Sequence, residues 1–295
     1  MINHTISMEC LTPCFCAGAN QSHAEIRPAA IRGALRWWLR ALGGGPEQES
    51  AVFGGTDPVQ ASSVMVRVAN LIPKGTGELP QVGKGPGKLN PTDPLAYILY
   101  FASVAGAKDG ATYGSGPRWS ENGSLGPKTR FDLIIRQTRK LDSTSLQLFE
   151  GTILAFKHFG AIGLRVTRGL GALQAIDTTP QSFEQTTKLL EDHEFIMQLG
   201  SRRHNDWISL MKEAGNFLKN ELRSEYGAGG NKKPANATAL GSINPCRQTS
   251  ALYLRPTKRD GQLQLMAFEA PHGRVLGNES RNAHNKPILK EIPLR

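Results

Sequence analysis

The chain has 295 residues, 39% of them hydrophobic, and a net charge of +10. That length admits two ordinary domains, and the basic excess points to a polyanionic partner, nucleic acid ahead of a membrane surface. No apolar run approaches the ~20 residues of a spanning helix, and no basic region followed by an apolar run opens the chain, so neither a membrane partner nor a secretory leader is expected.

Residues 2–11 alternate as a strand, with Ile2, Ile6, Met8 and Cys10 on one side and Thr5, Ser7 and Glu9 on the other. A loop from Thr12 to Ile26 leads into a helix that opens at Pro28 and stops at Gly43-Gly44-Gly45. Within it, Ile31, Ala34, Leu35, Trp38 and Leu42 share one face, which is core. Arg36 and Arg40 lie opposite and Arg32 at the edge, with Arg27 just before the helix and Trp37 flanking the stripe. No acid inside the helix pairs with these arginines, and each is Arg rather than Lys, the residue suited to bidentate phosphate contacts. Trp37 offers a ring for base stacking. Gly33 weakens a helix interior by ~1 kcal/mol relative to Ala, which is tolerable where a backbone or phosphate must come close. A solvated arginine face on a core helix is the competing reading.

Ser62–Val68 reads as a strand, Pro73–Pro94 as a Gly/Pro/Lys-rich loop or disordered insertion, Leu95–Val104 as a short helix, and Ala111–Thr129 as turn-rich, with Tyr113 and Trp119 exposed. Arg130–Thr138 alternates as a strand. A helix follows from about Thr144, where Thr144 and Gln147 have capping-box spacing, to Phe159, with Leu146, Phe149, Ile153 and Phe156 inward. A short strand is expected around Ala172–Ile176. The order β-α-β, insertion, β-α-β is that of a ferredoxin-like or RNA-recognition-motif-like unit. After Pro180 the chain reads as helical, with His204–Tyr226 one long helix ended by Gly227. A flexible stretch follows, then a hairpin of Ser250–Arg255 and Gln262–Phe268 with Lys258–Gly261 in its loop. The expected division is residues 1–178, with an insertion at about 71–129, and residues 179–295.

Gly160–Gln174 holds Gly160, Gly163, Gly169 and Gly171 with Arg165 and Arg168, a composition suited to an anion-contacting loop. It is neither a Walker A loop nor a dinucleotide fingerprint, and a plain helix-to-strand connection is the alternative. Cys10, Cys14 and Cys16 have a spacing unlike a zinc knuckle, so with Cys246 they are expected as reduced cytosolic thiols. No histidine has metal-ligand spacing, and carboxylates are sparse near the basic segments. No cofactor or metal is expected. His23, in the loop before the arginine helix, is a candidate general acid or base against a solvated loop histidine.

EIRPAAIRGALRWWLR (Glu25–Arg40), VFGG (Val52–Gly55) and SSVMVRV (Ser62–Val68) together resemble the signature of the first-numbered subunit of the Cmr, or type III-B, CRISPR effector complex, within the RAMP superfamily. GLRVTRGLGALQ (Gly163–Gln174) is similar to the superfamily's glycine-rich loop, and TSALYLRP (Thr249–Pro256) to the family's C-terminal strand. The resemblance implies an α+β fold of two ferredoxin-like domains packed around a basic cleft, and a subunit without nuclease activity. It implies a place at the end of a helical backbone, with guide (CRISPR) RNA, target RNA and other Cmr subunits as partners. Arg27, Arg32, Gly33, Arg36, Trp37 and Arg40 would then meet RNA, and Arg165, Arg168, Gly169 and Gly171 would form the loop against its backbone. Ala30 departs from the pattern, which has Ser there. Two rival functions are a metal-independent endoribonuclease using His23 or a tyrosine, and a structural subunit whose basic face meets an acidic protein.

Overall fold

A computed structural model describes residues 2–18, 23–57, 59–76, 79–80, 89–90, 92–103, 124–226, 240–241, 249–276 and 287–294. The expectations for Tyr113, Trp119, Cys246 and the stretch 227–239 lie outside the described residues, as does much of the insertion.

The first half carries β1 (Asn3–Cys10), α1 (Pro28–Ala41), α2 (Pro46–Phe53), a small hairpin of β2 (Gly55–Thr56) and β3 (Val59–Gln60), β4 (Val64–Ile72), α3 (Pro94–Ser103), β5 (Arg130–Gln137), α4 (Ser143–Phe159), β6 (Gly160–Ala161) and β7 (Ala172–Ala175). One sheet runs β4-β5-β1-β7-β6, antiparallel at every pairing. Alternation builds its inner face: Ile6, Met8, Phe131, Leu133, Ile135, Val64 and Leu173 turn to α1 and α4. The cap of α4 differs from the sequence reading. Asp142, two residues before Thr144, accepts the Ser145 N–H at 2.9 Å and starts the helix one residue earlier.

The second half carries α5 (Pro180–Asp192), β8 (Ile196–His204), α6 (Trp207–Asn216), β9 (Leu252–Arg259) and β10 (Gln262–Glu269). Its sheet runs β8-β10-β9, antiparallel throughout. The helical run expected over His204–Tyr226 is present as far as Tyr226, but it begins at Trp207 and is not one regular α-helix. Asp206 caps α6 at Ser209, a π-helical stretch covers Phe217–Leu222, and α7 (Arg223–Tyr226) ends the run. Strand β8 was also not expected. Its apolar residues, Ile196, Met197 and Leu199, fall in the first half of the strand and Gly200–His204 adds none, while its register with β10 shifts between Gln264 and Met266, so no sustained alternation marks it. The β9–β10 turn is tighter than expected: only Asp260 and Gly261 make it, at φ 50° and 80°, the signs of a type I′ turn.

Hairpin β9–β10 is buried on both faces, which explains its nearly continuous apolar run. Tyr253, Met266 and Phe268 join the core under the first sheet, while Leu252, Leu254, Leu265 and Ala267 join a second core with α3 and α6. Polar ties lock the seam. Gln174 on β7 donates to the Lys258 carbonyl at 2.9 Å and accepts the Lys258 N–H at 2.7 Å. Glu9, nearly buried, holds Lys258 and Arg130, and those partners keep its carboxyl below the ordinary range against the opposing effect of burial.

Candidate nucleic-acid interface

Helix α1 seats Ile31, Leu35, Trp38 and Leu39 in the core and turns Arg32, Gly33, Arg36 and Arg40 outward. Arg27 occupies the N-cap in extended backbone without a side-chain cap, and no acid stands in the first turn. A cation at the positive end of a helix dipole is unfavourable by itself, so this end is set for an anion.

The arginines are partnered, but not within their own helix. The glycine turn after α1 brings α2 back alongside. There Glu49 accepts from Arg40 Nη1 at 3.0 Å through both oxygens and lies 3.4 Å from Arg36 Nε, an ion pair without hydrogen-bond alignment. One carboxylate thus faces two guanidiniums. Arg32 donates to the Phe53 carbonyl and Arg36 to the Gly54 carbonyl, the latter at 2.8 Å, and both guanidiniums stand over the Phe53 ring. Partial burial and the neighbouring Arg36 lower the pKa of Arg32. The VFGG motif therefore has a structural reason. Phe53 is core and ring platform, and Gly54, at φ 78°, leaves no room for a Cβ beside the Gln60 carbonyl and the Ser62 N–H. Arg32, Arg36, Phe53, Gly54, Thr56, Gln60 and Ser62 line an open basin of about 360 Å³. Gly33 is exposed, and a Cβ there would meet nothing within 4 Å. Nothing within the described chain requires that glycine.

Trp37 has aromatic partners within the chain. Its ring packs 4.7 Å from Tyr253 and 4.9 Å from Trp38, so hairpin β9–β10 takes the stacking position offered to a base.

The glycine-rich segment is held within the chain more strongly. Gly169 and Gly171 are buried, at φ 89° and 64°, and a Cβ on Gly171 would collide with the Ile162 carbonyl oxygen. Thr12 Oγ1 donates to the Gly169 carbonyl at 2.8 Å, Gly171 N–H to the Pro13 carbonyl at 2.9 Å, and Leu254 N–H to the Thr167 carbonyl at 3.2 Å. The segment's glycines thus serve close packing between β9 and the Thr12–Cys16 segment that follows β1. Arg168 is only 8% exposed and donates to the Leu240 carbonyl at 3.0 Å. Burial first, then the positive charge of Arg223, pushes its pKa down to about 10. Arg165, in left-handed backbone at φ 60°, stands exposed at the tip with Gly163 and Leu164.

His23 is exposed beside the Ala17–Ala24 bridge. Cys14 and Cys16 are buried with their sulfurs 3.3 Å apart, and among the described residues no group of three His, Cys, Asp or Glu side chains could hold a metal. No motif or spacing marked His158, which is buried on α4 between Phe159 and Phe183 and whose pKa is pushed down to about 4, chiefly by burial.

A model of the RAMP superfamily matches residues 7–174, from β1 through the arginine helix to Gln174. The chain belongs to the RAMP superfamily. Among curated members it is similar to CRISPR system Cmr subunit Cmr1-2 of Pyrococcus furiosus, 27% identical over 189 residues, 59% of this chain and 95% of that protein. Subunit Cmr1-1 of the same organism is 25% identical over 177 residues, 56% of this chain and 44% of that one. In fold, the chain is similar to the crystal structure of Cmr1 from Pyrococcus furiosus in its apo form, with a TM-score of 0.56 at 17% identity over 92% of this chain and 88% of that one. It is also similar to a chain of a type III-B Cmr-beta complex bound to cognate target RNA, with a TM-score of 0.54 at 12% identity over 94% and 96%. At these identities the structural likeness is one of fold.

Proposed function

We propose that this RAMP protein is a non-catalytic RNA-binding subunit of a type III-B CRISPR effector ribonucleoprotein. It stands at the end of the backbone beside other Cmr subunits and contacts guide RNA, toward its 3′ region, and target RNA. The observation that carries this reading is the outward face of α1: Arg32 and Arg36 meet over one open basin, and the exposed Gly33 of the same helix is required by no packing among the described residues. Arg27 extends that face past the helix N-terminus and Arg40 continues it toward α2, and Arg165 adds an exposed cation on the loop. Trp37, Arg168, Gly169 and Gly171 act from behind, holding the hairpin and the loop in place. The relatives named as Cmr subunits, and the Cmr complex solved with target RNA, supply the biological setting.

In this reading residues 1–178 and 179–295 are two ferredoxin-like domains around a basic cleft. The first sheet, counting its four longer strands in chain order, runs 2-3-1-4, and the second runs 1-3-2. The tail residue Leu294 donates to the Gln198 side chain at 2.7 Å, beside strand β8 where a fourth strand would pair.

Guides differ in sequence, so binding is through phosphates and RNA shape. The test is titration of the full chain with labelled single-stranded RNAs of unrelated sequence at rising salt. All should bind alike and lose affinity steeply as salt rises. Strong preference for one sequence, or salt-independent binding, contradicts the reading.

A further inference from the structure

Two thiols stand as a pair beneath the glycine-rich segment. Cys14 and Cys16 flank Phe15 in the stretch that follows β1, and both are free. Alternation sends the two cysteines into the core under the first sheet and Phe15 into the second core. Their sulfurs stand 3.3 Å apart, closer than unbonded sulfurs in van der Waals contact. A disulfide has an S–S bond of about 2.05 Å, so about 1.3 Å of closure separates this pair from a bond.

Their surroundings divide the roles. Cys14 is fully buried, with its sulfur 3.4 Å from the Ile162 carbonyl oxygen. Its hydrogen bond to Cys16 first, then burial, holds its pKa well above the ordinary thiol value. Cys16 keeps 8% exposure and receives that hydrogen bond. The bond from Cys14 first, then the Glu25 backbone and the charge of Arg27, holds the Cys16 pKa below the ordinary value against the opposing effect of burial. Cys16 is therefore the nucleophile and Cys14 the thiol waiting beside it. Cys10 lacks such activation, since burial chiefly pushes its pKa up.

The pair also forms the floor of the loop. The Phe15 carbonyl, between the two cysteines, accepts the Leu164 N–H at 3.0 Å, and the Pro13 carbonyl accepts the Gly171 N–H at 2.9 Å. A Cβ on Gly163 or Gly171 would stand 3.5 or 3.6 Å from the Cys14 sulfur. Movement of this stretch is therefore movement against the loop.

We infer that Cys14 and Cys16 are an oxidisable dithiol, a modification site at which a hydroperoxide makes a disulfide that unseats the glycine-rich loop. With hydrogen peroxide, the Cys16 thiolate attacks one oxygen; an S–O bond forms, the O–O bond breaks, and the leaving hydroxide takes a proton to become water. The Cys14 sulfur then attacks the Cys16 sulfenic acid; the S–S bond forms, the S–O bond breaks, and hydroxide leaves with the Cys14 proton as a second water. The two thiols lose two electrons and the peroxide gains them. Closing a ring over one intervening residue puckers Phe15 and draws its carbonyl away from the Leu164 N–H.

The test needs no RNA, so it stands apart from the function proposed above. The full chain is reduced, freed of reductant and exposed to hydrogen peroxide. Free thiols are then alkylated in denaturant, disulfides are reduced and alkylated with an isotopically heavy reagent, and the labels are mapped by mass spectrometry. The heavy label should appear at Cys14 and Cys16 and not at Cys10 or Cys246. Amide exchange at Leu164 and Gly171 should be about tenfold faster in the oxidised chain, and dithiothreitol should restore the slower rate. In Cys14→Ser, oxidation should stop at a Cys16 sulfenic acid that dimedone traps. Absence of heavy label at the pair, heavy label at Cys10 or Cys246, or unchanged exchange at Leu164 overturns the inference. The mapping and the exchange use the wild-type chain, so a variant that fails to fold leaves the test intact.

Discussion

Helix α1 and the Gly163–Gln174 segment both interleave arginines with glycines, yet the two are used in opposite directions. On α1 the glycine that matters is Gly33, which faces open space, and Arg32 and Arg36 stand at the rim of a basin. In the loop Gly171 abuts the chain's own backbone, and Arg168 turns inward to Leu240. Composition alone does not separate these cases. What separates them is the partner: the arginines of α1 meet α2 and the Gly54–Ser62 turn across an open basin, whereas the loop is trapped between β9 and the Thr12–Cys16 segment that follows β1. Cationic surface for a polyanion comes from the first, and the rigid junction behind it from the second.

The sharpest contrast is between the two glycines. Gly171→Ala forces a Cβ against the Ile162 carbonyl in left-handed backbone, and should cost at least about 3 kcal/mol of unfolding free energy by denaturant titration. If that variant were as stable as the wild type, the loop would be looser than described. Gly33→Ala should do the reverse, stabilising the chain by about 0.5–1 kcal/mol because Ala is the better helix former and nothing obstructs it. The same variant should bind RNA more weakly. A stabilised Gly33→Ala with undiminished affinity would leave that glycine without a role.

The buried side has its own pH signature, intermediate in size. His158 holds its pKa near 4 in the folded chain against an ordinary 6.5, because burial disfavours the imidazolium. Above pH 6.5 the group is neutral in both states and contributes no pH dependence. As pH falls from 6.5 toward 4 only the unfolded chain takes up the proton, so stability is lost across that window, by about 3 kcal/mol at most. Urea unfolding at pH 7 and pH 5 should show this loss in the wild type and a shallower one in His158→Leu. Equal pH dependence in both would place the acid sensitivity elsewhere.

The sequence made α1 legible because Pro28, the three-glycine stop and the 3.6-residue period agree with one another. Strands β1 and β5 were legible for a similar reason, since each has one buried face and alternates cleanly. Glu49 was not legible as the arginines' partner: it lies outside the helix, and only the turn at Gly43–Gly45 brings it across. Strand β8 escaped because its apolar residues stop at Leu199 and the polar second half, Gly200–His204, carries no alternation to read. The intramolecular partners of Trp37 and Arg168 were not legible for one shared reason. Both are claimed by the second half of the chain, through Tyr253 and Leu240, and such long-range contacts leave no local trace. The glycines at 169 and 171 were read as part of a loop against an RNA backbone; at Gly171 the group that approaches most closely is the chain's own Ile162 carbonyl.

The measurement closest to the central claim is the salt dependence of RNA binding by wild type and Arg36→Ala, with melting curves to confirm that both are folded. Loss of one phosphate contact should reduce the slope of log affinity against log salt by about one, and weaken unrelated RNA sequences equally. An unchanged slope in a folded Arg36→Ala chain would contradict the assignment of the α1 face as the RNA-binding surface.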